Sequence, residues 1–333
     1  MINENGRAQA LWYVAPGKAE IRTETIGQTR EGSVRVRALH GALSRGTEAL
    51  IFSGRVPASE YRRMRAPFMA GDFPFPVKYG YSTVGQVEAG PNDLLGRNVF
   101  SLYPHQTLFD LPPEAVLPLP DGVPPQRAVL AANMETALNA LWDGNPVSGD
   151  RIAVVGAGVV GALVAWLCAR VNGTRVTLVD INPSRRALAM KLGVEFSLPS
   201  DSKGECNLVI HTSATASGLK TAIALSGNEA TILELSWYGD GDIGVPLGGA
   251  FHSRRLKLIS SQVGQVAPSH RAEWTHRRRL AAALDLLREP VLDALIAPAL
   301  NFDDLPDRLT DVLAPGSGIL CQRIDYPAQR SRN

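Results

Sequence analysis

The chain has 333 residues, of which 45% are hydrophobic and 20% charged, and its formal net charge is +2. This length predicts two domains, and the composition is that of an ordinary globular protein with no run of about 18 apolar residues. The N-terminal stretch lacks the shape of a signal peptide and the three cysteines are scattered, so we expect a cytoplasmic protein with reduced thiols. The small net charge argues neither for nor against nucleic acid, and we expect a small-molecule substrate rather than a nucleic-acid or membrane partner.

The first 125 residues or so alternate short β-like runs with glycine and proline. These runs read ALWYV, SVRVRAL, STVGQVEA and NVFSLY. Their spacing predicts a compact β-rich domain, barrel-like or sandwiched. A proline-dense connector, FDLPPEAVLPLPDGVPPQ, then leads into a helical segment that ends near Gly144.

From Arg151 onward the pattern becomes strand, helix and strand in repeated alternation. Such alternation predicts a parallel sheet covered by helices on both faces. A helical, arginine-rich segment follows. We interpret its run Arg277, Arg278 and Arg279 as a solvated helix face rather than an anion-binding patch. The chain closes with the strand-like ILCQRIDY.

The strongest motif is a glycine-rich loop that follows the apolar strand 152–155 and opens a helix. In such a loop the first glycine allows a tight turn, the second lets the backbone approach a pyrophosphate, and the third lets helix and strand pack closely. The helix N-terminus then offers free amides to the phosphates. The expected nucleotide contacts are Gly156, Gly158, Val159, Val160 and Gly161.

A carboxylate ends the next predicted strand, as a dinucleotide site requires. Asp180 would accept hydrogen bonds from the adenosine ribose and repel a 2′-phosphate, which favours NAD over NADP. Arg185 lies one helical turn later, either over the adenine or simply on the surface. A strand–helix–strand unit that binds nothing is the alternative, and the combination of loop, context and acid makes it the weaker one.

The chain as a whole resembles the medium-chain dehydrogenase/reductase family. The helix before the nucleotide motif, the glycine loop and the late strand LKLISSQVG all stand where that family has them. The resemblance implies a β-rich GroES-like catalytic domain, residues 1–133 and 264–333, and a doubly wound α/β Rossmann domain, residues 134–263. Thr136, Thr212 and Ser213 are further candidate cofactor contacts. The SRGTE segment resembles, more weakly, the hydroxyethyl-bacteriochlorophyllide dehydrogenases.

The resemblance also shows where this chain departs from the zinc-dependent members of the family. Their ligand positions match Arg45, Tyr81 and Ala132 here, and Ser82 stands where they have a glutamate. The four-cysteine structural zinc lobe has no counterpart, since no cysteine precedes Arg151. Zinc needs three or four nitrogen, sulfur or oxygen donors, so we expect no metal.

Without a metal, side chains must take the substrate's proton or polarise its carbonyl. Thr47 matches the family hydroxyl that touches the substrate oxygen, and Tyr81 could place a phenol near the same atom. Lys78 or Arg45 would lower the pKa of that phenol, while Glu48 could orient Arg45 or receive the proton. The plainer alternatives are that Tyr81 fills vacated volume, that Thr47 caps a helix, and that Glu48 and Arg45 form a structural ion pair.

These features predict an NAD(H)-dependent oxidoreductase that interconverts a secondary alcohol and a ketone without catalytic zinc. A zinc-free quinone or enoyl reductase of the same fold and a catalytically inactive nucleotide-binding protein are the alternatives. The sequence names neither the substrate nor the direction of the reaction. Relatives pair through sheet edges, so we expect a homodimer joined by strands near residues 245–247 and 256–260.

Overall fold

The structure is a computed structural model that describes residues 6–327. The chain divides into two compact units, one formed by Met1–Ala132 with Ile296–Asn333 and the other by Asn133–Leu295. The first crossing lies next to the boundary expected at residue 133. The return to the first unit comes at Ile296 rather than at residue 264, because the arginine-rich helix packs within the second unit.

The first unit is built from antiparallel strands. Its strands are β1 (Arg7–Ala15), β2 (Lys18–Thr25), β3 (Val34–Leu43), β4 (Ala70–Gly71), β5 (Val77–Lys78), β6 (Thr83–Ala89), β7 (Asn98–Ser101), β8 (Leu108–Leu111), β9 (Val116–Pro118), β16 (Ile296–Asn301) and β17 (Cys321–Asp325). One sheet has the order β2-β1-β5-β4, and the other has the order β16-β17-β3-β6-β7-β9 with β8 also on β3. Helices α1 (Arg45–Phe52), α2 (Pro125–Ala128) and α8 (Leu305–Leu313) complete this unit.

The second unit is a parallel sheet with helices between its strands. Its strands are β10 (Arg151–Val155), β11 (Arg175–Val179), β12 (Glu195–Ser197), β13 (Cys206–His211), β14 (Ser226–Glu234) and β15 (Lys257–Ser260), and its helices are α3 (Ala131–Gly144), α4 (Val159–Cys168), α5 (Arg185–Leu192), α6 (Ala216–Leu225) and α7 (His276–Leu286). The sheet order is β12-β11-β10-β13-β14-β15. The order reverses between β10 and β13, which is where doubly wound sheets bind ligands.

Burial follows the predicted patterns in both units. The central strands β10 and β13 are apolar runs buried on both faces, as parallel strands covered by helices must be. Helix α4 is buried along almost its whole length, with Trp166 in the core of the second unit. All three cysteines are free and buried. The predicted fold class, a β-rich unit with a doubly wound α/β unit, is confirmed.

Two local predictions are wrong. Arg279 is only 1% exposed instead of lying on a solvated face, because its guanidinium donates to Glu135 and Asn139 on α3 at 3.0 and 2.6 Å. Residues 245–247 do not form a strand; an irregular turn, Leu247–Phe251, begins there, and Gly249 breaks its helical geometry. Helices long and apolar enough to cross a membrane do not occur between residues 6 and 327.

Candidate nucleotide and catalytic sites

The glycine loop of the second unit has a different geometry at each of its three glycines. Gly156 has φ +111°, a backbone conformation that favours glycine. A Cβ on Gly161 would lie 1.9 Å from the carbonyl oxygen of Gly156, so α4 meets this loop too closely for any side chain. A Cβ on Gly158 would meet nothing within 4 Å, and Gly158 is exposed. Gly158 therefore faces open space that a phosphate could enter.

Helix α4 begins directly after Gly158, so the amides of Val159 and Val160 belong to its first turn. The first amides of a helix have no acceptor within the helix, and the dipole makes this end positive. Asp180 lies beside the loop, since its Oδ2 accepts from the Ala157 amide at 2.6 Å and its Oδ1 from the Asn182 amide at 2.8 Å. These two amides hold the half-buried carboxylate in place and leave each oxygen a second lone pair for a hydroxyl.

Thr212 and Ser213 lie against the same loop from the neighbouring strand. The Thr212 hydroxyl donates to the Gly156 carbonyl at 2.9 Å, and the Ser213 amide would be 2.9 Å from a Cβ on Gly156. Both residues follow β13, and Gly156 follows β10, so all three stand at the carboxyl ends of the two strands where the sheet order reverses. This cradle fits the pyrophosphate of a dinucleotide.

The remaining cofactor candidates lie on helices of the second unit. Arg185 is the first residue of α5 and is half-buried, and its neighbour Arg186 stacks over the ring of Phe196 at 4.9 Å. Thr136 is half-buried in α3, next to the Glu135 that pairs with Arg279.

In the first unit, three hydroxyl groups converge at the start of α1. The Tyr81 hydroxyl donates to Ser44 Oγ in a short hydrogen bond and lies 3.2 Å from Thr47 Oγ1. Ser44 precedes the first residue of α1, and its side chain makes no capping bond to that helix. Tyr81, Thr47 and Ser44 are all half-buried. We call these three residues the hydroxyl cluster.

Glu48 lies beneath the hydroxyl cluster and is completely buried. Its carboxylate accepts hydrogen bonds from the Tyr13 hydroxyl at 2.6 Å and the Ser44 amide at 2.8 Å, and lies 2.9 Å from His105 Nε2. A carboxylate with no exposed surface cannot meet a substrate directly. Instead, Glu48 fixes the backbone that carries Ser44 and Thr47.

The two predicted cations are engaged elsewhere. Lys78 is buried and donates to Glu24 at 2.7 Å and to Gln106 at 2.6 Å. Arg45 donates to the backbone carbonyls of Val312 and Ala314 at 2.8 and 3.0 Å, and also to that of Ile319. These carbonyls lie at the C-terminal end of α8, which attracts positive charge. Arg45 therefore anchors α8 to α1.

The prediction that a nearby cation lowers the pKa of Tyr81 is wrong. Burial raises the pKa of the Tyr81 phenol, and the carboxylate of Glu48 adds to this effect. Hydrogen bonds to Ser44 and Thr47 act in the opposite direction without reversing the shift. The phenol is consequently neutral at ordinary pH and can donate a hydrogen bond.

The three residues that the resemblance places at zinc-ligand positions, Arg45, Tyr81 and Ala132, do not fit that metal. Arg45 is a cation that donates to carbonyls, Tyr81 presents a neutral phenol, and Ala132 has only a methyl group. Zinc requires several deprotonated or neutral donor atoms around one point. Across residues 6–327, no group of three or more histidine, cysteine, aspartate or glutamate side chains could hold a metal ion.

The sequence did not single out Ser44, and it did not reveal which side chain His105 contacts. Ser44 is the first residue of the SRGTE segment, in which only Arg45, Thr47 and Glu48 were predicted site residues. His105 is distant in sequence, and its contact with Glu48 depends on Gly80, where a Cβ would lie 2.8 Å from the imidazole. Two further polar residues that the sequence did not single out, His211 and Glu234, end the apolar strands β13 and β14 and contact each other there.

Comparison with known proteins gives relatives of one kind. No family model matches the chain. The L-threonine 3-dehydrogenase of Mesorhizobium japonicum is 32% identical over 117 residues, which cover 35% of this chain and 33% of that enzyme. The chain thus spans about a third of the length of these first relatives. The D-guloside 3-dehydrogenase of Escherichia coli K12 is 23% identical over 305 residues, 82% of this chain and 87% of that enzyme.

Solved structures agree over nearly the whole chain. A short chain alcohol dehydrogenase of Escherichia coli CFT073, in complex with NADH, has a TM-score of 0.76 at 16% identity and covers 96% of this chain and 100% of its own. A dehydrogenase of Sinorhizobium meliloti 1021 bound to NADP has a TM-score of 0.74 at 16% identity, with 96% and 99% covered. At such identities these solved structures establish the fold alone: the chain has the fold of the alcohol dehydrogenases, and the curated relatives to which it is similar in sequence are also dehydrogenases.

Proposed function

We propose that the protein is an NAD(H)-dependent oxidoreductase that interconverts a secondary alcohol and a ketone without a catalytic zinc ion. The observation that carries the proposal is the glycine loop, in which Gly158 faces open space while Asp180 lies against the loop amide of Ala157. Relatives named as 3-dehydrogenases, and neighbours solved with NADH or NADP, support a nicotinamide cofactor.

The choice of NAD over NADP rests on Asp180. Its carboxylate is held by two backbone amides, so it cannot easily swing away from the position that a 2′-phosphate would approach. Like charges at that distance disfavour NADP. Structural neighbours bind either cofactor, so this preference is argued from the side chain alone.

A bound nicotinamide would supply or accept the hydride. The hydroxyl cluster would handle the proton at the substrate oxygen, because it is the set of neutral donors at the segments that line the catalytic cleft in the family. The Tyr81 phenol, whose pKa is raised, remains protonated and would donate to a carbonyl oxygen in place of Ser44 Oγ. This favours ketone reduction as the direction that the site assists.

Calorimetry with NADH and NADPH, together with metal analysis of protein purified without chelator, tests this proposal. We expect NADH to bind at least about tenfold more tightly, a difference of about 1.4 kcal/mol. We also expect far less than one zinc per chain. Equal affinities for NADH and NADPH would show that Asp180 does not select the cofactor. One tightly held zinc per chain, lost together with activity, would overturn the metal-free mechanism.

We also propose a homodimer joined along β15. This strand ends the parallel sheet within the described part of the chain, and all four of its residues are exposed, including Leu258 at 38% and Ile259 at 40%. An exposed edge with apolar side chains is an aggregation hazard unless it is covered. Light scattering at micromolar concentration should give twice the chain mass of 35.7 kDa. A monomer mass would reject the dimer.

A further inference from the structure

Four polar side chains form a linked chain at the carboxyl ends of β13 and β14, within the second unit. His211 Nδ1 lies 2.7 Å from Glu234 Oε2, and His211 Nε2 lies 2.7 Å from Ser213 Oγ. The Tyr238 hydroxyl donates to the same Glu234 oxygen at 3.0 Å and lies 3.3 Å from His211 Nδ1. The imidazole of His211 is completely buried, whereas Ser213 is half-buried.

The strands themselves dictate this arrangement. His211 and Glu234 are register partners on the adjacent strands β13 and β14, so their side chains project from the same face. Ser213 is two residues beyond His211 and therefore returns to that face. Gly218 in α6 leaves the necessary space, because a Cβ there would lie 2.0 Å from Ser213 Oγ and 2.6 Å from His211 Nε2.

The donors around Glu234 decide how the protons are arranged. Burial opposes its ionisation, but hydrogen bonds from His211 and Ser236 outweigh this and hold the pKa of Glu234 below its ordinary value. An ionised carboxylate only accepts, so His211 must donate from Nδ1. In the neutral imidazole the lone pair is then on Nε2, and the Ser213 hydroxyl must donate to it.

The hydroxyl proton of Ser213 therefore points to His211 Nε2 and is not available to a ligand. Thr215 lies on its other side, with the two hydroxyl oxygens 3.0 Å apart. Thr215 Oγ1 already accepts from the Gly218 amide at 3.0 Å, which leaves its own proton free for Ser213. Ser213 Oγ thus donates once, accepts once and keeps one lone pair for a ligand that donates.

We propose that Glu234 and His211 are positioning residues that fix Ser213 as a hydrogen-bond acceptor for the second nucleoside of a bound dinucleotide. The site lies beyond the glycine loop from Asp180, because β13 and β11 flank β10 on opposite sides. Each half of a doubly wound sheet takes one mononucleotide. The donor that Ser213 meets is then a ribose hydroxyl or carboxamide group of the nicotinamide half. This inference rests on the nucleotide site proposed above.

A serine nucleophile would need similar distances, but the surroundings oppose it. The amide that follows Ser213, that of Ala214, donates to Ser236 Oγ at 3.1 Å and is not available to stabilise an oxyanion. His211 has no exposed surface through which it could pass a proton to a leaving group. The geometry therefore suits a fixed acceptor rather than covalent catalysis.

Three substitutions test the inference through nucleotide binding measured by calorimetry. Ser213→Ala removes the acceptor and should weaken NADH binding about five- to tenfold. Glu234→Gln should do the same, because an amide can donate to His211 and reverse the proton arrangement. Gly218→Ala should also weaken binding by displacing the Ser213 hydroxyl, although alanine suits the helix better than glycine. The matched controls Thr221→Ala and Glu229→Gln lie on the same helix and the same strand without contacting this group of side chains, and they should bind NADH as the native protein does.

Nitrogen-15 spectra of the imidazoles give a readout that does not need the ligand. His211 should carry its proton on Nδ1 at pH 7 and should shift towards Nε2 in Glu234→Gln. An imidazole protonated on Nε2 in the native protein would overturn the proposed arrangement of protons between Glu234, His211 and Ser213. If the native protein binds NADH and Ser213→Ala binds it equally tightly, this inference is overturned while the nucleotide site stands. If the native protein does not bind NADH, the nucleotide site and this inference are both overturned.

Discussion

The two units of the molecule differ in how their candidate sites are built. The second unit keeps every backbone feature of a dinucleotide site: a tight turn at Gly156, close packing at Gly161 and open space at Gly158. In the first unit, by contrast, the candidate site consists of the side-chain hydroxyls of Tyr81, Ser44 and Thr47. One candidate site thus depends on backbone geometry, and the other depends on side-chain chemistry.

This difference has a physical cause. A phosphate cradle needs glycines at fixed places, and no other residue can replace them where φ is positive or a Cβ would collide. A catalytic donor can come from any nearby segment that presents a hydroxyl. In the first unit Glu48 fixes such a segment by accepting a hydrogen bond from the Ser44 amide, so the hydroxyl cluster is held in place by the protein itself.

The largest expected effect distinguishes Gly161 from Gly158, two of the three glycines of the loop. Gly161→Ala places a Cβ 1.9 Å from the Gly156 carbonyl oxygen, and neither backbone can yield. We expect it to destabilise the protein by about 1–3 kcal/mol or more and to abolish measurable NADH binding. Gly158→Ala is the matched control: the melting temperature should be unchanged while NADH binding falls at least about tenfold. If Gly161→Ala and Gly158→Ala change the melting temperature and NADH binding to the same extent, the distinction between a packing glycine and a phosphate-facing glycine is contradicted.

The second prediction addresses the hydroxyl cluster. Tyr81→Phe removes only the hydroxyl, and loss of a positioned proton-transfer group costs about 10²–10⁴ in rate. We expect kcat to fall at least about tenfold with unchanged NADH affinity, and Thr47→Val to lower kcat as well. Tyr79→Phe removes a hydroxyl from a buried neighbouring ring and should leave kcat unchanged. If both Tyr81→Phe and Thr47→Val keep full activity, the hydroxyl cluster has no role in catalysis and is only structural.

A smaller effect concerns cofactor choice. Asp180→Ser removes the charge that opposes a 2′-phosphate, so the ratio of NADPH to NADH dissociation constants should fall by about tenfold. Calorimetry with each cofactor measures this ratio directly. Asp180→Asn keeps the shape of the side chain and removes its charge, so it should lower the ratio of the two dissociation constants by a similar factor. A ratio unchanged in both variants would assign specificity to other residues.

The smallest effect is a pH dependence of stability in the first unit. Burial, followed by the charge of Glu48, raises the pKa of Tyr13 well above its ordinary value, and Tyr79 and Tyr81 are raised as well. Below about pH 10 the folded and unfolded states both keep these protons. Above it the unfolded state releases them first, so stability falls by up to about 1.4 kcal/mol per pH unit for each tyrosine. Urea unfolding should show a shallower alkaline decline in Tyr13→Phe; an equal slope would contradict this account.

The sequence predicted the second unit better than the first. Strands β10 and β13 are continuous apolar runs, and the glycine loop stands between strand and helix, so local pattern and fold agree. Other contacts join segments that are far apart in the chain. Lys78 pairs with Glu24, and Arg45 donates to the backbone carbonyl of Val312. The same holds for the buried pair of Arg279 and Glu135. Charge patterns in the sequence do not reveal such partners, because they arise only when the fold brings the segments together.

The measurement that tests the central claim most directly is deuteride transfer from 4-deuterated NADH to a panel of ketones, quinones and enones after dialysis against a chelator. We predict deuterium on the carbonyl carbon of a ketone, at a rate that chelation leaves unchanged and that Tyr81→Phe lowers at least about tenfold. Transfer that chelation abolishes and zinc restores would contradict the metal-free account, and so would transfer only to quinones or enones, or none at all.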